Sequence, residues 1–197
     1  MTDQLFLSIW LEQGRRASRA KYFEKLLRLF PFSQRSQPQS TISVLAVDTT
    51  EPPLLEQPVN GPFEVAEIFT FLNDYTGDDV AYRLESWWDL WQYDTDWSLR
   101  PARVVLSCFG PDFDSGSEWS GAEQEDLRID FGVETPYLPQ PEILGSGKLI
   151  ESNVKSLLRI VHELDSALPV EKRKLETESG ENFADRLKQA VTGGQVQ

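Results

Sequence analysis

Aromatic and acidic side chains alternate along residues 80–99, and this combination of residue types can bind a ligand or a partner. The segment has the sequence VAYRLESWWDLWQYDTDWSL and holds four of the chain's six tryptophans. If it forms a β-strand, every second side chain points to the same face of the sheet. Besides Arg83, one face then carries the side chains of Glu85, Trp87, Asp89, Trp91 and Tyr93.

This face supports two chemical interpretations. Sugar rings stack on aromatic planes while their hydroxyls hydrogen-bond to carboxylates, so the face suits a carbohydrate or another small ligand. Large exposed aromatic side chains also mark surfaces that a protein partner or a second copy covers. Across the sheet, we expect Arg128 and Asp130 of a later strand to extend the same face.

The opposite face of this segment is predicted to belong to the core. Its side chains, interrupted only by Ser86, are those of Val80, Tyr82, Leu84, Trp88 and Leu90. A helix is the alternative, because several of the same large side chains also fit a helical spacing. A helix would remove the distinction between the two faces.

A hydrolase based on carboxylates is a further hypothesis for the aromatic face. Glycosidases use two carboxyl groups roughly 5 to 10 Å apart, one of them with a raised pKa. Glu85 and Asp89, four residues apart on a strand, would lie roughly 13 Å apart, which is too far. Glu85 together with Asp130 remains as the carboxylate pair for such a reaction.

The residues that most often act as nucleophiles or metal ligands are scarce. The chain has one histidine, His162, and one cysteine, Cys108. His162 is expected to be a partly exposed helix residue, and Cys108 a small buried side chain between Val104 and Leu106. No phosphate-binding glycine loop, nucleophile elbow or zinc-protease motif is present. The sequence therefore predicts no catalytic residue, no metal site and no cofactor, and it favours a protein that is not an enzyme.

An acidic loop at residues 111–119 resembles part of a calcium-binding loop. Asp112, Asp114 and Glu118 surround Gly116, and oxygen ligands at alternate positions suit calcium. The glutamate that completes an EF-hand loop is absent at the required position. A solvated acidic turn is the favoured interpretation.

The composition excludes several classes of protein. The 197 residues carry a net charge of −13, which argues against binding to nucleic acid. A single cysteine allows no internal disulfide, and no apolar run approaches the ~20 residues of a membrane span. We therefore expect a cytoplasmic protein without a membrane or nucleic-acid partner. The first helix is basic, and its charges are interpreted as solvated or as facing an acidic surface of the chain or of a partner.

Taken in order, the chain predicts an α+β fold in a single domain over residues 1–170. A strand at residues 5–11, a helix at 15–30, a strand at 42–47 and a helix starting near Pro62 form a β-α-β-α series. Three antiparallel strands and a long helix at residues 149–168 follow. Together they give a mixed sheet packed by helices. The proline-rich segment 49–62 is predicted to be an exposed loop, and residues 171–197 a charged tail with a possible short helix at 182–191.

The sequence as a whole favours an interaction module that presents an acidic, aromatic sheet face to a protein partner or, in a homodimer, to itself. The alternative is a small-ligand or carbohydrate-binding protein, which includes a carboxylate-based hydrolase. A deep cleft at Trp87 and Trp91 would favour the alternative. A flat patch would favour the interaction module.

Overall fold

The computed structural model describes residues 3–12, 18–35, 39–115, 123–180, 182, 183 and 185. The strands are β1 (Gln4–Leu11), β2 (Ser40–Ala46), β3 (Leu55–Val59), β4 (Val80–Tyr93), β5 (Trp97–Phe109), β6 (Leu127–Val133) and β7 (Val170–Thr177). The helices are α1 (Arg19–Leu29), α2 (Val65–Leu72) and α3 (Ser146–Ala167), with a short 3₁₀ helix at Thr135–Tyr137.

The seven strands form one sheet in the order β3-β2-β4-β5-β6-β1-β7. Every neighbouring pair in this sheet is antiparallel. The predicted mixed sheet, a β-α-β-α series followed by a three-strand meander, is therefore wrong. The two strands that flank α1 are not neighbours, because three other strands lie between β1 and β2, so they do not form a parallel pair.

Both edges of the sheet come from segments that the sequence analysis did not assign to strands. The edge strand β3 lies inside the proline-rich segment, and Pro58 is tolerated there because an edge strand has a free side that needs no N–H donor. The opposite edge strand, β7, lies in the segment interpreted as a charged tail, and it pairs along its length with β1. Proline and charged side chains are typical of edge strands, where they prevent pairing with other chains.

The three helices pack against one face of the sheet, and the core lies between them. The inward-facing side chains of β4 are buried, including Trp88 at 1% exposed, so the segment is a strand with the predicted core face. Ser86 interrupts that face without cost, because its hydroxyl lies 2.9 Å from that of Ser40 in a buried pair. Phe183 is also fully buried, with its ring 6.1 Å from that of Tyr137.

Strand β4 extends past the end of β2, and other segments bond to the edge that this leaves open. Ser33 N donates to Trp87 O at 2.8 Å, and Phe32 forms a bridge with Trp88. Farther along, the side-chain amide of Asn153 on α3 accepts from Trp91 N and donates to Trp91 O, each at 2.9 Å. The Asn153 amide thus replaces the peptide group of an absent neighbouring strand.

Two further sequence expectations concern helices. Within the described ranges, no helix is long and apolar enough to cross a membrane. Most of the short helix predicted at residues 182–191 lies outside the described residues, and so do the basic residues Arg15 and Arg16.

Candidate functional site

The outer face of the sheet, opposite the three helices, is the candidate functional surface. In β4 the buried side chains alternate with partly exposed ones, and the second set belongs to the outer face. The same alternation places Arg128 and Asp130 of β6 on this face. The structure thus gathers all the candidates from the sequence on one surface: Glu85, Trp87, Asp89, Trp91, Tyr93, Arg128 and Asp130.

The pairing register arranges the charged side chains of the outer face in two rows across the strands. The first row, here the basic row, consists of Arg83, Arg128 and Lys174, separated by Ser107 and Ser8. The second row, here the acidic row, consists of Glu85, Asp130 and Glu176, separated by Val105 and Phe6. The rows run side by side roughly 7 Å apart, because each acidic residue follows its basic neighbour by two positions on the same strand.

Glu85 is held as a carboxylate by an arginine on the neighbouring strand. Arg103 Nη2 donates to Glu85 Oε2 at 2.6 Å. This hydrogen bond, helped by the Arg103 and Arg83 charges, lowers the pKa of Glu85 below its ordinary value. A glycosidase acid needs the opposite shift. Glu85 therefore lacks the electrostatic environment of a general acid.

Arg128 is fixed in place by two contacts. Its guanidinium lies over the ring of Phe6, 4.1 Å from the ring centre, and Nη1 lies 3.3 Å from Glu125 Oε1. Stacking on an aromatic face and pairing with a carboxylate both suit the planar guanidinium group. Arg128 thus presents a positioned positive charge on the outer face.

Asp89 has a structural role that its position in the sequence did not reveal. Its carboxylate accepts a hydrogen bond from Ser33 Oγ at 2.7 Å and lies 3.5 Å from Arg35 Nε. These contacts hold residues 33–35 beside the part of β4 that has no β2 residue next to it. The Asp89 carboxylate therefore already binds residues of its own chain.

The aromatic side chains divide between two places along the β4–β5 hairpin. Trp87 lies opposite Arg103, beside the charged rows, and Trp91 lies opposite Leu99. Tyr93 stacks near the hairpin end against Trp97, with ring centres 5.5 Å apart. The predicted row of aromatics is thus continuous along one strand, but it extends away from the centre of the sheet.

At the other end of β4, a loop folds over the outer face. Phe113 packs there on Phe109 and Ala81 in a second, small apolar cluster. The chain can cross β4 because Gly110 has no side chain: a Cβ atom there would lie 2.1 Å from Asp78 O. Between this loop and the charged rows lies a shallow depression of about 180 Å³, whose lining includes Arg83 and Arg128.

The other residues singled out in the sequence carry little reactive chemistry. Cys108 is 1% exposed, and burial raises the pKa of its thiol to about 12. His162 lies on the exposed side of α3. Of the acidic loop, Asp112 and Asp114 are described, whereas Gly116 and Glu118 lie outside the described residues. Among the described residues, no group of three or more potential ligands is placed to hold a metal ion.

Sequence reasoning placed Arg83 on this face without including it among the candidate residues, and it missed Lys174 and Glu176. Only the pairing of distant strands shows that their side chains line up, and a single sequence does not give that register. Comparison of the chain with protein-family models, curated proteins and solved structures finds no match. The function proposed below is inferred from the geometry and chemistry of the outer face.

Proposed function

We propose that this protein is a non-enzymatic interaction module that binds a protein chain on the outer face of its sheet. The observation that carries the proposal is the contrast between the two faces. The inner face is packed under three helices, whereas no described helix covers the outer face. An antiparallel sheet often leaves one face in water. This face, however, also carries partly exposed aromatics and fixed charges.

The face, rather than an edge, is the surface fitted for binding. A partner that adds a strand needs a regular edge with free backbone groups. The β3 edge is five residues long and contains Pro58, and the β7 edge carries consecutive charged residues. Both features discourage edge pairing, so the outer face is the better-suited binding surface.

The dimensions of the outer face suit a protein partner. Seven strands at a spacing of about 4.8 Å span roughly 30 Å, and a strand of eight residues is about 27 Å long. The product is on the order of 800 Å² for the whole face, and the loop that carries Phe113 covers one end of it. The remaining area is comparable with the ~800 Å² that each partner contributes to a standard interface. The charged rows and Trp87 would lie within that area.

Small-ligand or carbohydrate binding remains the alternative proposal, with less support. Two depressions lie on the outer face, of about 180 and 370 Å³. Their lining residues include Arg83, Leu45 and Thr49 but neither Trp87 nor Trp91. A sugar site that stacks on those two indoles would need a cleft beside them.

The proposal is tested by comparing two arginine substitutions on opposite sides of the molecule. Trp87→Arg alters the outer face beside the acidic row, and Leu158→Arg makes the same kind of change at an exposed position of α3. Wild-type protein in native extract is expected to migrate above its monomer mass of 22.5 kDa in gel filtration. Trp87→Arg should shift it to the monomer position, and Leu158→Arg should not.

Migration of the wild type as a monomer in extract would contradict the proposal. An equal effect of both variants would also contradict it. Circular dichroism of each purified variant shows whether it retains the fold, and only folded variants enter the comparison.

A further inference from the structure

The two charged rows of the outer face lie side by side and are complementary to each other in charge. Positive charges stand on β4, β6 and β7 in the basic row, and negative charges stand on the same three strands in the acidic row. Within one row, the charged residues on β4 and β6 are two strands apart, which corresponds to a distance of roughly 10 Å. Each row therefore presents separated charges of one sign, with the opposite row beside it.

Contacts within the chain neutralise the rows only in part. Lys174 and Glu176 lie 4.0 Å apart, and Glu85 and Arg128 use partners outside the rows. Arg83 is exposed, and its side chain forms no hydrogen bond or ion pair with the described residues. The basic row thus retains charge that can act on a partner.

A second copy of the face matches this pattern in one orientation. If the copy is turned by 180° about an axis that lies between the rows and runs parallel to them, its acidic row comes to lie over the basic row of the first copy. A two-fold axis parallel to the strands would instead place rows of like charge over each other. A two-fold interface uses the same patch twice, so each favourable contact occurs in duplicate.

We propose that the protein forms a homodimer through its outer faces, with the two-fold axis between the basic and acidic rows. In this arrangement Arg83 faces Glu85 of the second copy, and Arg128 faces Asp130 of the second copy. The edge residues Lys174 and Glu176 pair in the same way. This inference rests on the proposed function, and it adds that the partner is the protein itself.

Other features of the face agree with this packing. Stacked sheets align their strands to within about 30°, so the rows stay near each other over several strands. Phe6 lies in the acidic row and Trp87 beside it, and both are partly exposed, so they supply apolar contact between the charges. The net charge of −13 per chain opposes association. At physiological ionic strength, however, charges farther apart than about 8 Å are largely screened, whereas pairs in contact are not.

Charge reversal provides a test that depends on the two-fold arrangement. Arg83→Glu makes the β4 pair all acidic, and Glu85→Arg makes it all basic. Each variant alone should weaken the dimer roughly 100-fold, because two attractive contacts become two repulsive ones. An equimolar mixture of the two variants should restore a heterodimer, and the double variant should restore a homodimer.

The masses are measured by sedimentation equilibrium on purified, folded proteins. A second set of variants, Lys174→Glu and Glu176→Lys, repeats the design on the edge strand, away from Arg103. A wild type that stays monomeric at all concentrations overturns the homodimer. A wild-type dimer that survives either reversal, or two monomeric variants that fail to combine, overturns the arrangement of the rows.

If the protein forms no homodimer, the two experiments still show whether the proposed function is correct. In that case purified wild-type protein is monomeric, while the complex in native extract still exceeds 22.5 kDa and still depends on Trp87. That combination means that the outer face binds another protein. Monomers in both experiments mean that both proposals are wrong.

Discussion

Arg103 Nη2 lies 2.6 Å from Glu85 Oε2, and the two residues are diagonal neighbours on β5 and β4. The bond lowers the pKa of Glu85 by stabilising its charged form. Since the carboxylate is deprotonated in the folded state, the pair fixes a negative charge in the acidic row. It also accounts for why Glu85 is unsuited to donate a proton.

The Glu85–Arg103 pair should contribute stability at neutral pH and lose that contribution in acid. A carboxyl whose pKa is lowered on folding stabilises the protein above its unfolded pKa, and the effect disappears as pH falls through the folded value. Both side chains are more than a third exposed, so we expect Glu85→Gln to cost only about 0.2–1 kcal/mol at pH 7. The difference should shrink as the pH falls below the ordinary pKa of a glutamate and vanish once the pH is below the lowered pKa of Glu85.

Urea unfolding at one protein concentration measures this effect. The control is the same substitution in an Arg103→Gln background, where the pair is already absent and Glu85→Gln should have little further effect. A pH-independent difference between wild type and Glu85→Gln would show that the charge of Glu85 is not responsible.

Adjacent tryptophans on β4 should respond very differently to truncation. Trp88 is 1% exposed and lies among the rings of Phe30, Phe131 and Tyr137. Trp88→Ala should therefore lower the free energy of unfolding by about 3–5 kcal/mol. Trp91→Ala, on the outer face, should lower it by roughly 1 kcal/mol or less. Similar losses for the two variants in chemical unfolding would contradict the assignment of the two faces.

Asn153 should be essential to the open edge of β4. Its amide bonds to Trp91 N and O and also donates to Pro136 O at 2.9 Å, and the residue is 2% exposed. Asn153→Ala leaves these backbone groups without partners, so we expect a loss of about 2–4 kcal/mol. Ser156→Ala on the same helix removes only a bond to the helix's own backbone, at Ser152 O, and should change stability by less than about 0.5 kcal/mol. Equal thermal stabilities of these two variants would be the contrary result.

Val47 occupies an unfavourable backbone conformation at the rim of the outer face. Its φ is +70°, and Asp48 N donates across it to Ala46 O at 2.9 Å, closing a three-residue turn. A β-branched residue at positive φ is strained by about 1–3 kcal/mol. The side chain is 56% exposed, so little burial is lost on substitution.

Replacing Val47 should therefore stabilise the protein. Glycine lacks the Cβ that causes the strain in such a turn, and we expect Val47→Gly to raise the free energy of unfolding by up to about 1 kcal/mol. Val47→Ile keeps the branched Cβ and should give no gain. A Val47→Gly protein that melts no higher than Val47→Ile would mean that the turn is not strained.

Local pattern predicted the two faces of β4, and long-range pairing determined what the sequence could not show. Alternation of side chains is a local property, so Leu84 and Trp88 could be assigned to the core from spacing alone. The partners of β1 could not, because nothing in its sequence indicates that β6 and β7 flank it. A β-α-β unit was expected because a helix connects β1 and β2. Tertiary packing placed three other strands between them.

The candidate site shows the same contrast between what the local pattern predicts and what long-range contacts determine. Glu85, Trp87 and Asp89 were identified from their order on one strand, yet their roles depend on residues far away in the chain. Ser33 and Arg35 bind Asp89, and Arg103 binds Glu85. The charged rows combine residues from β4, β6 and β7, and only the register brings them into line.

The outer face of the sheet, and not the helical face, is proposed to contact a partner. This contact is tested most directly with a photo-crosslinking amino acid placed at single positions in living cells. The outer-face positions are Arg83, Trp91 and Lys174, and the helical-face controls are Lys21, Lys155 and Leu158. Crosslinked peptides should come from the outer-face positions, with the partner peptide identified by mass spectrometry. Crosslinks from the helical positions alone, or from none of the six, would contradict the account.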